Sequence, residues 1–464
     1  MHDRIQSQVP AIQRHKLSRL TLAALSGPSI PLSALSLPMV AFLPEYYSGE
    51  LGLDLALVGT VFMVVRLLDI FFDPLLGGIM DRTHTAMGRY RPWLLVAVPM
   101  IMLAMAMLFM AKPGVGALHL TIWLVVAYAG WSVLALAQLA LAANVSPDYH
   151  ERSRIYGWWQ VAFFIGMIGA MLVPKIASIY GLSSPAAGMQ AMAWLVIVLT
   201  PMMVIFAVAT VRERPIDASR KGGGLREYFG LMRHPAVRRL LACEGLMGLA
   251  SGATSTLALF FFTRLLSLGR ADVGLLLIGH FLVGLVFTPV WSWLANRIGK
   301  HRALAVATIA YASVQSLFLF VPAHNLLAAL AIQSLAGLSY GATSALPRAM
   351  TADVADEQRL ETGQERTGLL YALLIGVWKI GQALSVGIMF YVLAWIGFDP
   401  APGAANPESA LDGLLVLYVG LPILLSLVAA WVAFRYPLTA EKHAAIRVEL
   451  ERLDAEAAAA ITAS

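Results

Sequence analysis

The chain has 464 residues, of which 59% are hydrophobic and only 13% are charged. A soluble protein of this size needs far more charged surface, so the composition excludes a soluble globular protein and indicates lipid as the main solvent. The formal net charge of +6 is a mild excess. The basic residues flank apolar stretches and form no continuous stripe, which argues against nucleic acid as a partner.

The hydropathy of the chain predicts twelve transmembrane helices, because about 20 apolar residues are needed to cross the hydrocarbon core of a bilayer. In chain order, the predicted spans cover residues 20–47, 56–80, 92–112, 118–143, 157–181, 187–211, 240–266, 270–296, 303–322, 325–350, 366–397 and 409–437. No short apolar region with a small-residue cleavage site follows the basic N-terminal segment, so we expect an uncleaved first helix. The single cysteine, Cys243, excludes an intramolecular disulfide.

Basic residues are concentrated in alternate loops, and most densely in a long polar segment near the middle of the chain. By the positive-inside rule, both termini face the cytoplasm of a multi-pass protein in the cell membrane, and we expect a bacterial inner membrane. The predicted organisation is a cytoplasmic N-terminal segment (1–19), an N-terminal six-helix half (20–211), a cytoplasmic central loop (212–239), a C-terminal six-helix half (240–437) and a cytoplasmic tail (438–464). The tail has helical periodicity and predicts an amphipathic helix.

A weak internal repeat supports two related halves. The second span ends on Pro74-x6-Asp81-Arg82 and the eighth ends on Pro289-x6-Asn296-Arg297. Two pseudo-symmetric six-helix halves joined by a long basic loop are typical of the major facilitator fold, in which the halves rock about a site near the membrane midplane. We therefore predict an all-α membrane protein with this fold, which functions as a monomer.

Ionisable side chains inside predicted spans are candidates for function, because lipid penalises them unless they face a cavity or a partner. Arg66, Asp69 and Asp73 lie at positions i, i+3 and i+7, so they share one face of the second span. A structural network would pair Arg66 with Asp69. The second carboxylate then leaves a net negative site that could hold Na+ or a proton. Lys379, in the middle of span eleven, belongs either near this site or in a pair with acids at helix ends.

A dense motif covers the end of the second span and the turn that follows it. The motif reads Arg66-x2-Asp69-x3-Asp73-Pro74-x2-Gly77-x3-Asp81-Arg82-Thr83-x4-Gly88-Arg89-x-Arg91-Pro92-Trp93. It resembles the signature of the glycoside–pentoside–hexuronide:cation symporter family, of the melibiose permease type. The resemblance implies that Asp69 and Asp73 contribute to the coupling-cation site, with Na+ or H+ as the cation and no other cofactor. Lys379 falls where melibiose-type members place a membrane-embedded lysine.

Two cytoplasmic stretches resemble the same family. They are Ser146-Pro147-Asp148-Tyr149-x-Glu151-Arg152 after span four and Pro347-x5-Asp353-x2-Asp356 after span ten. Together with the turn after span two, they imply a cytoplasmic gate. The predicted gate residues are Asp81, Arg82, Arg89, Arg91, Arg152 and Asp353.

The positions at which the family binds galactosides differ in this chain. Two carboxylates and an arginine of the family fall at Ser33, Ala135 and Gln160, so galactoside specificity does not carry over. Sugars are held by polar side chains and by an aromatic ring under their apolar face. The candidate substrate residues are therefore polar or aromatic side chains within spans, namely Ser33, Trp131, Gln138, Trp159, Gln160, Tyr371, Trp378 and Gln382. The prolines of the first span predict an interrupted helix beside the substrate cavity.

Two functions are consistent with these observations. The first is secondary active symport of a small solute, a sugar or glycoside, coupled to Na+ or H+ by alternating access. The second is transport of an amphiphile such as a lysolipid. A closed polar cavity favours the first, and an apolar cleft open to lipid favours the second. The sequence contains no P-loop, no paired-histidine zinc helix and no G-x-S-x-G motif, so we do not expect an enzyme.

Overall fold

The computed structural model describes residues 17–145, 149–182, 184–213, 231–363, 367–401 and 403–463. In these ranges, twelve helices are long and apolar enough to cross a membrane. They are α1 (Arg19–Glu50), α2 (Leu55–Arg82), α3 (Arg91–Phe109), α4 (Ala117–Val145), α5 (Tyr149–Ile179), α6 (Pro185–Thr210), α7 (Pro235–Leu265), α8 (Arg270–Ile298), α9 (Lys300–Phe320), α10 (Leu326–Thr362), α11 (Thr367–Trp395) and α12 (Glu408–Phe434). Most of the predicted N-terminal segment and central loop lies outside the described residues.

Local capping chemistry sets where several helices begin and end. Four helices begin after a residue whose side chain accepts a backbone N–H of the first turn, namely Ser18, Asp54, Ser184 and Asn325. α7 begins at Pro235, inside the predicted central loop, because proline suits the first turn of a helix. α10 continues past its predicted end at residue 350, since hydropathy does not register its charged last turns. It stops before Gly363, whose φ of +68° is left-handed.

The first span is interrupted, as its prolines predicted. The α-helical pieces Arg19–Ser26 and Ser29–Leu37 are followed by wider π-helical turns at Pro38–Phe42 and Tyr46–Glu50. Proline lacks a backbone N–H donor and cannot complete the regular helical hydrogen-bond pattern. The turn Pro38–Phe42 packs against α7, so the interruption lies at the interface between the two halves.

The two halves pack closely toward one end of the bundle. We call the end that carries Glu213 and Leu231, on either side of the central segment, the linker end, and the other end the far end. Toward the far end, α2 packs against α11 and α5 packs against α8. A Cβ atom on Gly59 of α2 would lie only 2.6 Å from Cβ of Phe390 of α11. The absence of a side chain at Gly59 therefore permits this close helix contact.

Ion pairs also tie the halves together at the far end. Arg270 of α8 binds Glu45 of α1 and, at 2.9 Å, Glu50 of α1; we call these three residues the far-end cluster. Lys175 of α5 and Asp272 of α8 form a second bridge, with 2.6 Å between Nζ and Oδ1. Among the described residues, each ion pair at the linker end joins residues of the same half. The bundle is therefore closed at the far end.

A thirteenth helix docks on the linker end of the second half. This helix, α13 (Ala440–Ala463), packs against α10. Lys442 of α13 pairs with Glu357 of α10 at 2.6 Å, and His443 contacts Asp356 at 3.0 Å. The predicted tail is thus a helix that ion pairs attach to the second half.

Candidate functional site

Three charged side chains meet halfway along the spans. The Nζ atom of Lys379 of α11 lies 3.1 Å from Oδ2 of Asp69 and also donates to Oδ2 of Asp73, both in α2. Ser132 of α4 donates to the other oxygen of Asp69 at 2.9 Å. Asp69 is only 6% exposed, so few water molecules compete for these contacts. We call Asp69, Asp73 and Lys379 the midplane cluster.

Arg66 has different partners from the one that helix spacing suggested. Its Nε donates to the hydroxyl of Tyr128 at 2.6 Å, and its Nη1 donates to the backbone carbonyl of Gln382 at 3.4 Å. Lys379 takes the place beside Asp69 that the structural network gave to Arg66. The prediction of a net negative charge at this site is also wrong, because Lys379 and Arg66 together balance the charges of the two carboxylates.

The midplane cluster offers oxygen atoms to a small cation. Oδ1 of Asp73 is buried and accepts no hydrogen bond from a described residue. Asp69 shares Lys379 with Asp73, and the hydroxyl of Ser132 donates to Asp69. Small hard cations are bound by such oxygen ligands, and a buried carboxylate can instead take up a proton. The arrangement can therefore hold Na+ or H+ in place of the lysine ammonium group.

Most candidate substrate residues of the first half contact groups of that half, and the ring of Trp131 also lies 5.8 Å from Nζ of Lys379 in the second half. Ser33 is buried and donates to the carbonyl of Ile30 in its own helix. The amide nitrogen of Gln138 donates to the carbonyl of Leu25 and to Ser29 Oγ. Trp131 donates to the backbone carbonyl of Leu32, and the ring of Trp159 stacks on that of Phe163. The side chain of Gln160 is exposed. The structure does not gather these side chains around one cavity.

The second half does contain a cavity, of about 120 Å³, among α7 to α12. Trp378 lines it, and Gln382 donates to Ser251 in its wall at 3.3 Å. Tyr371 lies apart and donates to the carbonyl of Arg348. The sequence analysis missed other polar residues of the wall, including Gln333. A polar amide in the middle of an apolar span was the available signal for it.

Comparison with known proteins identifies the family. Residues 25–440 match the family model described as MFS/sugar transport protein. The chain belongs to this family. The predicted major facilitator fold with two six-helix halves, and the predicted sugar-symporter family, are therefore confirmed. The chain is a multi-pass membrane transporter and not an enzyme.

Relatives and a solved structure agree with this assignment. The chain is 25% identical over 397 residues to the isoprimeverose transporter of Lactiplantibacillus pentosus, covering 82% of this chain and 81% of that protein. It is 24% identical over 423 residues to the glucuronide carrier protein homolog of Escherichia coli (strain K12), covering 88% and 90%. The crystal structure of the nucleoside transporter NupG superposes with a TM-score of 0.69 at 15% identity, over 90% of this chain and 100% of that one. That last likeness shows the fold alone.

The predicted gate side chains that the structure describes lie at the linker end of the transporter and form no ion pair between the halves. The Glu213 carboxylate accepts the backbone N–H groups of Arg89 and Arg91, at 2.5 and 2.6 Å, and so fixes the start of α3. Asp353 pairs with Lys300 of its own half at 2.6 Å. Arg82 lies in the last turn of α2.

Two of the predicted gate side chains, those of Asp81 and Arg152, lie outside the described residues. The gate assignment stays a prediction for the whole set. Its described members belong to separate halves at an end where, within the described ranges, no ion pair crosses between the halves. A gate at this end would therefore have to form in a different arrangement of the halves.

Proposed function

We propose that the transporter couples the movement of a sugar or glycoside to that of Na+ or H+, in the same direction and by alternating access. The observation that carries the proposal is the position of Lys379, which donates to both Asp69 and Asp73 across the interface between the halves. A cation on these carboxylates and the ammonium group of Lys379 compete for the same oxygen atoms. Cation binding therefore releases one tie between the halves.

This competition gives a physical route to coupling. A ligand shifts a conformational equilibrium only if it binds the two states with different affinity. In the arrangement seen here, Lys379 binds the carboxylates of Asp69 and Asp73. The cation can bind these carboxylates only when Lys379 has moved away. Loading of the cation site thus favours a different arrangement of the halves, in which Lys379 no longer binds the two carboxylates.

The solute side of the proposal rests on the cavity and on the relatives. The cavity in the second half has hydroxyl, amide and imidazole groups in a wall that is otherwise mainly apolar, so it offers hydrogen-bonding groups to a solute. The names of two relatives, the isoprimeverose transporter and the glucuronide carrier homolog, point to sugars. Cytoplasmic termini and a monomeric state remain part of the proposal.

Reconstitution into proteoliposomes tests the coupling. We would measure uptake of radiolabelled D-glucose, D-galactose and D-xylose under an inward Na+ gradient, an inward proton gradient and neither. We expect accumulation of a sugar with one of the gradients. The variant Asp73→Asn lacks one of the two charged carboxylates, so it should lose the accumulation of sugar that a cation gradient drives. It should still exchange labelled for unlabelled sugar, because exchange needs no gradient.

The matched control is Asp54→Asn in the same helix. Asp54 is exposed and caps α2 through Leu57 N–H at 2.8 Å, a role that asparagine fills equally well. This variant should accumulate sugar like the wild type. Full accumulation by Asp73→Asn, or uptake that ignores both gradients, contradicts the proposal.

A further inference from the structure

One acidic side chain inside the second half belongs to neither the midplane cluster nor the far-end cluster. Glu244 lies in α7, more than two turns from its start, and is the only charged residue between Arg239 and Arg264. An ionisable side chain in a transmembrane helix is costly, so it usually faces a cavity or a partner and serves a function. The surroundings of Glu244 therefore decide which ligand it can bind.

The carboxyl group of Glu244 is buried and lacks a polar partner. Glu244 is 7% exposed, and its Oε2 atom is buried without a hydrogen bond. Across the described ranges, no residue forms an ion pair or a hydrogen bond with this carboxyl group. A carboxylate in such a position would lose its hydration without gaining a partner, which is far more costly than burial of a neutral carboxyl group. The surroundings therefore suit a protonated carboxyl group.

Tight helix packing keeps water away from one side of Glu244. A Cβ atom on Gly248, one turn further along α7, would come within 2.9 Å of the carbonyl oxygen of Trp378 in α11. A Cβ atom on Gly381 of α11 would lie 2.8 Å from the carbonyl oxygen of Gly245. The backbones of α7 and α11 thus meet directly beside Glu244, which leaves no room for a layer of water between them.

Arg348 of α10 is the cation that acts on Glu244 electrostatically. Its guanidinium group does not bind the carboxyl group. Instead, Nη1 donates to the backbone carbonyl of Ser344 in its own helix and, at 3.0 Å, to the hydroxyl of the same residue. Arg348 is exposed, so water and salt screen its charge. It can serve as a counter-ion only after it has moved closer to Glu244.

Within the described residues, the helices packed against α7 offer Glu244 no other cation. On α11, Lys379 binds the midplane carboxylates, and Tyr371 donates to the carbonyl of Arg348 at 3.0 Å. On α8, His280 directs Nδ1 at a backbone carbonyl of α10, 3.2 Å away. Each of these groups therefore has a partner other than Glu244.

The parts of α12 and α1 that pack against α7 at this level bring no charge to Glu244. Cys243, next to Glu244 in the sequence, donates to the backbone carbonyl of Ala429 in α12. Tyr436, which follows α12, has a buried hydroxyl that is not bonded to Glu244. The π-helical turn Pro38–Phe42 of α1 contains no titratable side chain. A proton is therefore the ligand that fits an isolated acid at this position.

We propose that Glu244 is a proton-binding site of the second half, separate from the midplane cluster and protonated in the arrangement seen here. Glu244 precedes Met247 and Ser251 at the i+3 and i+7 positions, so it shares a helix face with two residues that line the cavity. Entry of water along this face, or an approach of Arg348, would stabilise the carboxylate and release the proton. Proton binding thus favours the arrangement in which Glu244 is enclosed. The inference does not rest on the proposed symport.

Infrared spectroscopy of the purified full-length transporter at about pH 7 tests the proposal, because an exposed glutamate, with a pKa of about 4.3, is ionised there. A protonated carboxyl group absorbs at a higher C=O stretching frequency than a carboxylate or an amide. We expect Glu244→Gln to lose a band of this kind that the wild type shows. Glutamine matches the shape and the neutrality of the protonated side chain, so the variant should fold. The control Glu408→Gln, at an exposed position of α12, should keep the band.

Thermal unfolding across a pH series gives a second readout. The folded wild type keeps the proton of Glu244, whereas the unfolded chain releases it above about pH 4.3. A rise from about pH 5 to about pH 7 should therefore lower the melting temperature of the wild type relative to that of Glu244→Gln. Glu408→Gln should follow the wild type. A purely structural role of the side chain would shift the melting temperature without changing its pH dependence.

Arg348 provides a test that leaves Glu244 in place. Arg348→Gln removes the neighbouring positive charge, so the carboxyl band should persist to higher pH than in the wild type. Arg348→Lys keeps the charge and should resemble the wild type. Identical pH dependence of the band in Arg348→Gln and the wild type would overturn the role of Arg348 as the counter-ion.

Three results would contradict a proton on Glu244. They are a wild type without a protonated-carboxyl band, a band that Glu244→Gln retains in full, and melting temperatures of the two proteins that run parallel with pH. Loss of the band in Asp73→Asn instead of Glu244→Gln would place the proton in the midplane cluster and also overturn the proposal. The measurements use neither a sugar nor a cation gradient, so a failure of the proposed symport would leave their outcome unaffected.

Discussion

The midplane cluster and the far-end cluster join the two halves with the same set of charges: two carboxylates from the first half and one basic side chain from the second half. They differ in the base. The far-end cluster uses Arg270, whose planar guanidinium is always charged and holds two acids at once in a fixed geometry. The midplane cluster uses Lys379, a compact charge on a flexible stem that can move away from the carboxylates. The comparison indicates that the far-end cluster holds the bundle closed, whereas in the midplane cluster Na+ or H+ can replace the ammonium group of Lys379.

Removal of the Lys379 side chain should have the largest effect on stability. In Lys379→Ala the buried Asp69 keeps only Ser132 as a partner, so the free energy of unfolding should fall by about 3 kcal/mol. Sugar accumulation should be lost as well. Thermal unfolding and proteoliposome uptake measure the two effects. The control Lys112→Ala, at an exposed position, should match the wild type in both.

Glycine packing near the far end gives the next largest effect. Gly59→Ala places a methyl group 2.6 Å from Cβ of Phe390, and such overpacking should cost about 1–3 kcal/mol of stability in this closed arrangement. Gly77→Ala in the same helix meets no atom within 4 Å and should leave the stability unchanged or slightly raised. Thermal unfolding of the two variants measures the difference, and equal loss in both would refute tight packing at Gly59.

The far-end cluster can be opened with a smaller effect. Arg270→Ala removes the shared partner of Glu45 and Glu50, so far-end closure should weaken by about 1 kcal/mol, or roughly fivefold. A cysteine introduced at the buried Ser48, in a Cys243→Ser background, reports opening by its labelling rate with a membrane-impermeant maleimide. An unchanged labelling rate would show that the far-end cluster does not hold this end closed.

An exposed ion pair sets the lower limit of the series. Arg452 of α13 pairs with Glu449 and Glu456 and is 57% exposed. Water screens such pairs, so Arg452→Ala should leave the free energy of unfolding unchanged within the error of the thermal assay. A loss as large as that of Lys379→Ala in the same thermal assay would mean that burial does not distinguish the clusters.

The twelve spans could be predicted from the sequence because the local hydropathy of a segment determines whether it is stable in the bilayer. Its limits are visible at α7 and α10. Both helices extend into segments that hydropathy assigned to loops, since a helix can continue into water wherever caps and charged side chains support it. The interrupted first span was predictable for the same local reason, because proline removes a donor wherever it occurs.

The candidate site was predictable only in part. The spacing of Asp69 and Asp73 is a property of one helix, whereas their contact with Lys379 depends on how α2 and α11 pack. Gln138 was chosen because amides bind sugars, but a buried amide takes the nearest partners, here Leu25 and Ser29. Which polar side chains remain free for a ligand is decided by the packing of several helices, which no single span encodes.

Cation binding to the purified transporter tests the competition for the midplane carboxylates most directly. Calorimetric titration with NaCl and dye-reported proton uptake would be compared for the wild type, Asp73→Asn and Lys379→Ala. We expect one of the two cations to bind the wild type, to bind Asp73→Asn at least about tenfold more weakly, and to bind Lys379→Ala more tightly because the competing ammonium group is gone. Equal affinity of all three proteins for Na+ and for protons would contradict a cation site at Asp69 and Asp73.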